Sequence, residues 1–173
     1  MRHSSLLTAS LASALLLLAA ACGSSDPAAS PASSSLATAG AAVVPPPGEV
    51  TALQTATTPH GEVVTDGDGR TLYLFSTDGK DATQSACTGA CLEAWPPALA
   101  GSAAPSVSGV TGKVGSIAAP GGGRQLTLGG WPLYYYGQDV AAGDTKGQAV
   151  GNVWWVLDGS GSAVMGSSPG GGY

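Results

Sequence analysis

Short apolar segments alternate with polar and glycine-rich stretches between residues 48 and 158, and this pattern favours strands. The segments are rich in valine, threonine and aromatic residues and poor in the charge pairs that support helices. Only residues 81–93 have a helical pattern, with Thr83 or Ser85 as candidate N-cap and Trp-Pro-Pro at 95–97 as the stop. The predicted strands are 62–64, 70–77, 113–118, 124–128, 131–137 and 152–157. We therefore expect a small, mainly β domain with one short helix.

The predicted strand around residues 71–75 is apolar on both of its faces. Because side chains alternate along a strand, Tyr73 and Phe75 share one face, whereas Leu72 and Leu74 share the other. Such a strand is expected to lie inside the domain, covered on both sides.

Two Asp-Gly pairs at residues 66–69 separate the first two predicted strands. Aspartate and glycine tolerate the positive φ angles that tight hairpin turns require. The sequence therefore predicts a hairpin between segments 62–64 and 70–77.

The first 21 residues have the pattern of a signal peptide. Arg2 supplies positive charge, and residues 6–21 form an apolar run that is short for a membrane span. Three alanines and Cys22 end this run and resemble a lipobox, so we expect cleavage before Cys22 and lipidation of the new amino terminus. A diacylglycerol and an amide-linked chain such as palmitate would anchor the protein stably. The alternative is ordinary cleavage after Ala21, which would release a secreted protein with a free thiol.

Low-complexity segments flank the candidate domain. Residues 22–47 are rich in serine, alanine and proline, almost uncharged and without periodicity, so they cannot bury enough apolar surface to fold. Residues 159–173 are a second low-complexity segment. We expect a lipid-anchored tether over 22–47, one domain over 48–158 and a disordered tail over 159–173.

The charge of the chain disfavours a nucleic-acid partner. The sequence has 6 basic residues against 11 acidic ones, for a formal net charge of −5 at pH 7. Its basic residues are scattered, whereas phosphate contacts need clustered positive charge. The expected partners are the membrane, through the lipid anchor, and an unidentified envelope protein or small ligand.

The domain contains two gapless copies of one ten-residue pattern. Residues 69–78 read GRTLYLFSTD and residues 130–139 read GWPLYYYGQD, so both have Gly-x-x-Leu-Tyr-x-aromatic-x-x-Asp. The equivalent residues are Tyr73 and Tyr134, Phe75 and Tyr136, and Asp78 and Asp139. Tryptophans follow both copies, namely Trp95 after the first and Trp154 and Trp155 after the second. Two copies are too few for a solenoid, so we expect a pseudo-symmetric domain whose halves, about 61–97 and 124–158, complete one core.

These features resemble the bacterial secreted-repeat lipoproteins, a family of unknown function with a Y-x-[FWY]-x-x-D motif. The resemblance rests on DGRTLYLFSTD, a C-x3-C pair, WPP, WPLYYYGQDVAAGDTKGQ and a final VWWV, which span residues 61–158. It implies a lipid-anchored protein on the extracytoplasmic face of the cell membrane, and it implies no activity. The chain departs from the family pattern where GGGRQLTLGG replaces the usual Asp-Gly turn before the second copy.

Tyrosine and aspartate are five positions apart in each copy and would point to opposite faces of a straight strand. In a structural interpretation, the aspartate closes a turn through its own backbone, and the tyrosine anchors the core with its hydroxyl at the rim. In a functional interpretation, Tyr73, Asp78, Tyr134 and Asp139 surround one pocket that holds a cation or a polar ligand.

Cys87 and Cys91 form a C-x3-C pair in an oxidising compartment, with Cys22 expected to carry lipid. One helical turn brings residues i and i+4 within disulfide reach, so the first interpretation is a structural disulfide beside Trp95. The alternative is copper or thiol and electron-transfer chemistry, in which the thiolates bind Cu(I) with His60 as a further ligand. Apart from copper in this alternative, we predict no cofactor.

Aromatic residues could also stack on a sugar or another planar ligand. The candidates are Trp131, Tyr135, Trp154 and Trp155, of which Trp131 and Tyr135 have no aromatic counterpart in the first copy. Because few other bulky residues are available, we expect most aromatics to fill the core. The residues form no coherent catalytic set, so the sequence predicts a non-catalytic binding or interaction module rather than an enzyme.

Overall fold

A computed structural model describes residues 48–166 of the chain. The strands are β1 (Glu49–Val50), β2 (Ala52–Thr58), β3 (Gly61–Asp66), β4 (Tyr73–Phe75), β5 (Leu99–Ala100), β6 (Ser106–Ser108), β7 (Val114–Ala118), β8 (Arg124–Leu128), β9 (Trp131–Pro132) and β10 (Trp154–Val156). The helix α1 is Ala90–Ala94, and two 3₁₀ turns are Ser76–Asp78 and Val150–Asn152. The predicted mainly β domain with one short helix is confirmed. The predicted signal peptide, Cys22 and the tether lie outside the described residues.

The strands form three sheets. One sheet has the order β1-β5-β8-β7, with β9 paired to β8, the second has the order β3-β2-β6, and the third consists of β4 and β10. The β1–β5 and β2–β6 pairs are parallel, and the other strand pairs are antiparallel. Within residues 48–166, no helix has the length and apolar character needed to cross a membrane.

Strand β4 is covered on both faces, as its sequence predicts, and its residues divide between two clusters of buried side chains. The aliphatic cluster consists of Val50, Leu53, Val64, Leu72, Leu74, Ala98, Leu126, Leu128, Leu133, Tyr135 and Leu157. The aromatic cluster consists of Val63, Tyr73, Cys87, Trp95, Tyr134, Trp154 and Val156. Full burial of one large apolar side chain stabilises a fold by about 1.5–3 kcal/mol. The alternation along β4 therefore ties both clusters to one strand.

The two repeats exchange segments around this strand. In the first copy, β4 pairs with β10, so that Tyr73 lies opposite Val156 in the antiparallel register. In the second copy, Tyr134 forms bridges with Pro97 and with Tyr73, and the Tyr135 amide donates to the Pro96 carbonyl at 2.9 Å. Each motif therefore pairs with the segment that follows the motif of the other copy.

The predicted hairpin between segments 62–64 and 70–77 forms only in part, at its turn and in the residues next to the turn. Asp66 accepts the amides of Asp68 and Arg70 at 3.0 and 2.8 Å, which closes the turn, and a single bridge joins Thr65 to Thr71. Beyond that bridge β4 pairs with β10, while the full-length partner of β3 is β2. The prediction is confirmed near the turn, where the Asp66 amide donates to the Arg70 carbonyl at 2.9 Å and the Leu72 amide donates to the Val64 carbonyl at 3.0 Å. It is wrong for residues 73–75, which pair with β10 instead of β3.

The predicted helix over 81–93 is wrong in its first two thirds. Only Ala90–Ala94 is helical, and it begins after Gly89, whose φ of 55° no helix interior allows. Ser85 is not an N-cap, because its hydroxyl accepts the Cys87 amide at 3.0 Å, and the Ala86 amide donates to the Asp78 side chain at 2.6 Å. The amides of residues 86 and 87 therefore donate to side-chain oxygens and not to backbone carbonyls of a helix, which keeps this segment in a loop.

The structure adds four strands that the sequence did not predict, and it extends the domain. Three of them, β1, β5 and β6, have only two or three residues, too few for periodicity. At the other end, Val164 donates its amide to the Val156 carbonyl at 2.9 Å, and Leu157 forms a bridge with Ala163. Residues 159–164, which the sequence placed in the tail, are therefore part of the fold.

Candidate functional site

The motif tyrosines bond the aspartate of the opposite copy. The Tyr73 hydroxyl donates to Asp139 Oδ2 at 2.5 Å, and the Tyr134 hydroxyl donates to Asp78 Oδ2 at 2.6 Å. Tyrosine and aspartate of one motif therefore do not bond each other. Each tyrosine bonds the aspartate of the other repeat. We call these contacts the crossed Tyr–Asp pairs.

Each aspartate of the crossed pairs also closes the loop that follows its own motif. Asp78 Oδ1 accepts the Ala86 amide at 2.6 Å, and Asp139 Oδ1 accepts the Lys146 amide at 3.0 Å. One carboxylate therefore joins two repeats and one loop. The structural interpretation gave these aspartates a turn-closing role but did not include the bond between repeats.

Each tyrosine hydroxyl has a second contact from the same loops. The Gly147 amide donates to the Tyr73 oxygen at 3.2 Å, and the Ser85 hydroxyl lies 2.7 Å from the Tyr134 oxygen. A Cβ on Gly147 would lie 2.8 Å from the Tyr73 ring, so only glycine allows this approach. Both hydroxyls are thus held from two sides.

Burial sets the protonation of the crossed pairs. It raises the pKa of Tyr73 and Tyr134 well above the ordinary value, and the bonds to the two carboxyls raise the pKa further. Burial also raises the pKa of Asp78 and Asp139, and the bonds from the tyrosines partly offset that rise. The phenols therefore keep their protons at neutral pH and act as donors to the carboxylates.

Four aromatic rings form one continuous stack through the aromatic cluster, in the order Phe75, Trp154, Trp95, Tyr136. Successive ring centroids are 4.1, 3.8 and 4.2 Å apart. The two tryptophans occupy equivalent positions after the two motifs, and their planes are inclined by only 2°. The motif tyrosines meet this pair edge-on, Tyr73 at Trp95 and Tyr134 at Trp154. The stack therefore packs against both motif tyrosines inside the aromatic cluster.

Backbone bonds fix the position of each tryptophan in the stack. The Ser76 amide donates to the Val153 carbonyl and the Gly137 amide donates to the Ala94 carbonyl, both at 2.8 Å. The donors are equivalent positions of the two copies, and each acceptor immediately precedes a tryptophan. The exchange of segments thus places both indole rings symmetrically.

Tyr135 forms a third tyrosine–carboxylate pair, in the aliphatic cluster. Its hydroxyl donates to Asp66 Oδ2 at 2.8 Å, and the Arg70 guanidinium lies 4.7 Å from its ring centroid. Only 2% of Tyr135 is exposed, so its ring is not available to a ligand at the surface. The role of Asp66 was missed, and its position at the start of the Asp-Gly turn gave no signal for a contact 69 residues away.

Trp131 and Trp155 lie at the edge of the aliphatic cluster. Both are half-buried and pack against that cluster. The structure therefore separates the aromatic candidates: Trp131 and Trp155 keep exposed surface, whereas Tyr135 and Trp154 do not.

Cys87 and Cys91 form a disulfide with a Cα–Cα distance of 5.4 Å. Cys87 is buried in the aromatic cluster beside Trp95, whereas Cys91 is half-buried at the start of α1. His60 lies in the turn between β2 and β3. Among the described residues, no group of three or more His, Cys, Asp or Glu side chains is placed to hold a metal. The copper alternative concerns the reduced protein and stays a prediction.

A surface cleft of about 300 Å³ lies away from the stack. It is lined by residues 100–105, by residues 114–116 and by Arg124 and Leu126. Arg124 is exposed and donates to the hydroxyl and the carbonyl of Ser116. Val107, in the neighbouring β6, exposes 54% of its surface. The cleft thus combines an apolar wall with one cation.

Comparison with protein families gives one match. A family model described as a secreted repeat of unknown function matches residues 54–99 and residues 115–158, which together form just over half of the chain. Comparisons with curated proteins and with solved structures found no significant match. The matched segments contain the two motifs and the tryptophan segments that the repeats exchange. The chain belongs to the family of secreted repeats of unknown function.

Proposed function

We propose that the chain is a lipid-anchored protein of the extracytoplasmic face of the cell membrane, whose β domain is a non-catalytic binding module. The observation that carries this proposal is the internal use of the motif: both crossed Tyr–Asp pairs join the repeats and close loops. The crossed Tyr–Asp pairs therefore hold the two repeats and their loops together. Recognition is left to side chains at the surface.

The cleft beside Arg124 is the proposed binding surface. Its 300 Å³ volume suits a peptide side chain or a small polar ligand. Arg124 would supply a charge-assisted hydrogen bond to an anionic group, and Leu126 and Val114 would supply apolar contact. The exposed Val107 would enlarge that contact along the open edge of β6.

Binding is tested with the soluble domain, labelled at its amino terminus, on washed cell envelopes of the source bacterium. The wild-type domain should bind saturably, and Arg124→Ala should weaken that binding at least severalfold. Lys80→Ala is the matched control, because Lys80 is an exposed cation that does not line the cleft. Equal loss in both variants would indicate general charge attraction and contradict the proposed surface.

The lipid anchor is supported by the three alanines before Cys22 and by the uncharged segment after it. Cys22→Ala should move the protein from the membrane fraction to the medium. Mass spectrometry of the amino-terminal peptide should show acyl chains on Cys22 in the wild type. An unmodified Cys22 in membrane-bound protein would contradict lipid anchoring.

A further inference from the structure

The stacked rings overlap more closely than packing alone favours. Aromatic pairs in protein cores prefer offset or edge-to-face arrangements with centroids about 4.5–7 Å apart. All three steps of this stack are shorter than that range, and Trp95 and Trp154 are parallel within 2° at 3.8 Å. Such overlap spreads a positive charge over two indoles and so makes the loss of one electron easier than from an isolated tryptophan.

The crossed Tyr–Asp pairs supply the second element that such chemistry needs. A tyrosine gives up an electron readily only when its phenolic proton can leave at the same time. Tyr73 meets Trp95 edge-on at 5.5 Å and already directs its proton at Asp139 Oδ2. Tyr134 has the same relation to Trp154 at 5.2 Å and to Asp78. Two proton-coupled donors thus flank one indole pair.

We propose that the aromatic cluster is a one-electron relay, in which the indole pair is oxidised and a crossed Tyr–Asp pair stores the radical. A one-electron oxidant, such as the oxidised metal centre of a partner protein, accepts one electron from the indole pair. Tyr73 or Tyr134 returns that electron to the indoles, and its O–H proton passes to the carboxylate. The product is a neutral phenoxyl radical beside a neutral carboxylic acid. A one-electron donor reverses both transfers, and no proton leaves the domain.

The surroundings of the stack suit this role. The indoles of Trp95 and Trp154 are only 5% and 4% exposed, which shields a radical from water and solutes. Tyr136, at one end of the stack, is half-buried and gives an exchange partner access to it. Because Cys87 and Cys91 are joined, the cluster holds no free thiol that would quench the radical.

The relay is tested by photo-oxidation of the mature chain with excited ruthenium tris-bipyridine and persulfate. All forms carry Tyr173→Phe, so that the tyrosine of the tail does not contribute. Electron paramagnetic resonance of freeze-quenched wild-type protein should show a neutral tyrosyl radical. The double variant Tyr73→Phe and Tyr134→Phe should lose most of that signal. Tyr135→Phe is the matched control, since its phenol also bonds a carboxylate but lies in the aliphatic cluster.

A second pair of variants keeps every ring in place. Asp78→Asn and Asp139→Asn retain both phenols but remove the bases, so the tyrosyl radical should form in lower yield and decay severalfold faster. Circular dichroism verifies that each variant is folded. A tyrosyl signal that persists in the double tyrosine variant, or that disappears with Tyr135→Phe, would overturn the relay. So would unchanged radical yield and lifetime in both asparagine variants.

Discussion

The amide of Tyr73 donates to the carbonyl oxygen of Tyr134, and the amide of Tyr134 donates to the carbonyl oxygen of Tyr73, both at 2.9 Å. The two tyrosines are the same position of the two motif copies, so the pseudo-twofold axis passes between them. Their hydroxyls then reach the aspartates of the opposite copies. The backbone bonds and the side-chain bonds therefore both join the two copies. Their contribution to the free energy of unfolding can be measured.

Double-mutant cycles should find coupling across the copies rather than within them. Tyr73→Phe and Asp139→Ala remove the two ends of one buried hydrogen bond, so their effects on the free energy of unfolding should depart from additivity by about 0.5–3 kcal/mol. Tyr73→Phe with Asp78→Ala is the matched control, because Asp78 bonds Tyr134, and these effects should add within about 0.5 kcal/mol. Urea denaturation followed by tryptophan fluorescence gives both values. Stronger coupling within one copy would contradict the crossed arrangement.

Neither repeat should fold without the other. A fragment of residues 48–110 lacks β10, the partner of β4, and a fragment of residues 111–166 lacks the segment at 95–97 that lines the second motif. Each fragment alone should give the circular dichroism of an unfolded chain, and an equimolar mixture should regain β signal and a cooperative melt. A cooperative transition in either fragment alone would contradict the interdependence of the repeats.

Asp139 should make the domain less stable as the pH rises. Burial raises its pKa above the ordinary value of 3.8, so between the two values the folded chain binds more protons than the unfolded chain. The free energy of unfolding therefore falls with pH across this window. Asp139→Asn removes the titration, so the stability advantage of the wild type over this variant should shrink as the pH rises above 3.8.

Asp144 provides the opposite control for this pH dependence. Its bond from Lys146 lowers its pKa, so its contribution is present above the ordinary pKa and is lost as the pH falls. The advantage of the wild type over Asp144→Asn should therefore shrink as the pH falls below 3.8, and only weakly because the side chain is partly exposed. If the stability advantage of the wild type changed with pH in the same way for both variants, the assigned environments of Asp139 and Asp144 would be contradicted.

Reduction of the Cys87–Cys91 disulfide should weaken the domain without unfolding it. The cysteines are four residues apart, and the chain-entropy relation gives about 2 kcal/mol for so short a loop. Urea denaturation with and without a phosphine reductant measures the difference, and Cys87→Ala with Cys91→Ala should reproduce it in the absence of reductant. Complete loss of structure on reduction would show that the bond does more than close a short loop.

The local patterns of the sequence predicted the strand content, the internal repeat and the burial of both faces of β4. These properties depend on alternation within a few residues, which segment 72–75 displays directly. The disulfide could also be predicted, because the C-x3-C spacing limits how far apart the two cysteines can lie.

The crossed pairs could not be predicted in the same way. Tyr73 and Asp139 are 66 positions apart, and nothing in the motif says which aspartate a tyrosine will meet. The same limit explains the incorrect helix over 81–93, since the amide of Ala86 is bound by a side chain of the preceding motif. Contacts that a second copy supplies become visible only after both copies are placed together.

The exchange of segments gives the molecule the construction of a symmetric dimer in one chain. A twofold interface uses the same patch on both partners, so that residue i meets residue j and j meets i. Tyr73 and Asp139, with Tyr134 and Asp78, satisfy that rule within a single polypeptide. One repeat alone would leave its half of the aromatic cluster uncovered, and a chain that carries both copies makes their pairing permanent. The two copies need not be identical for this, as Phe75 and Tyr136 show at equivalent positions.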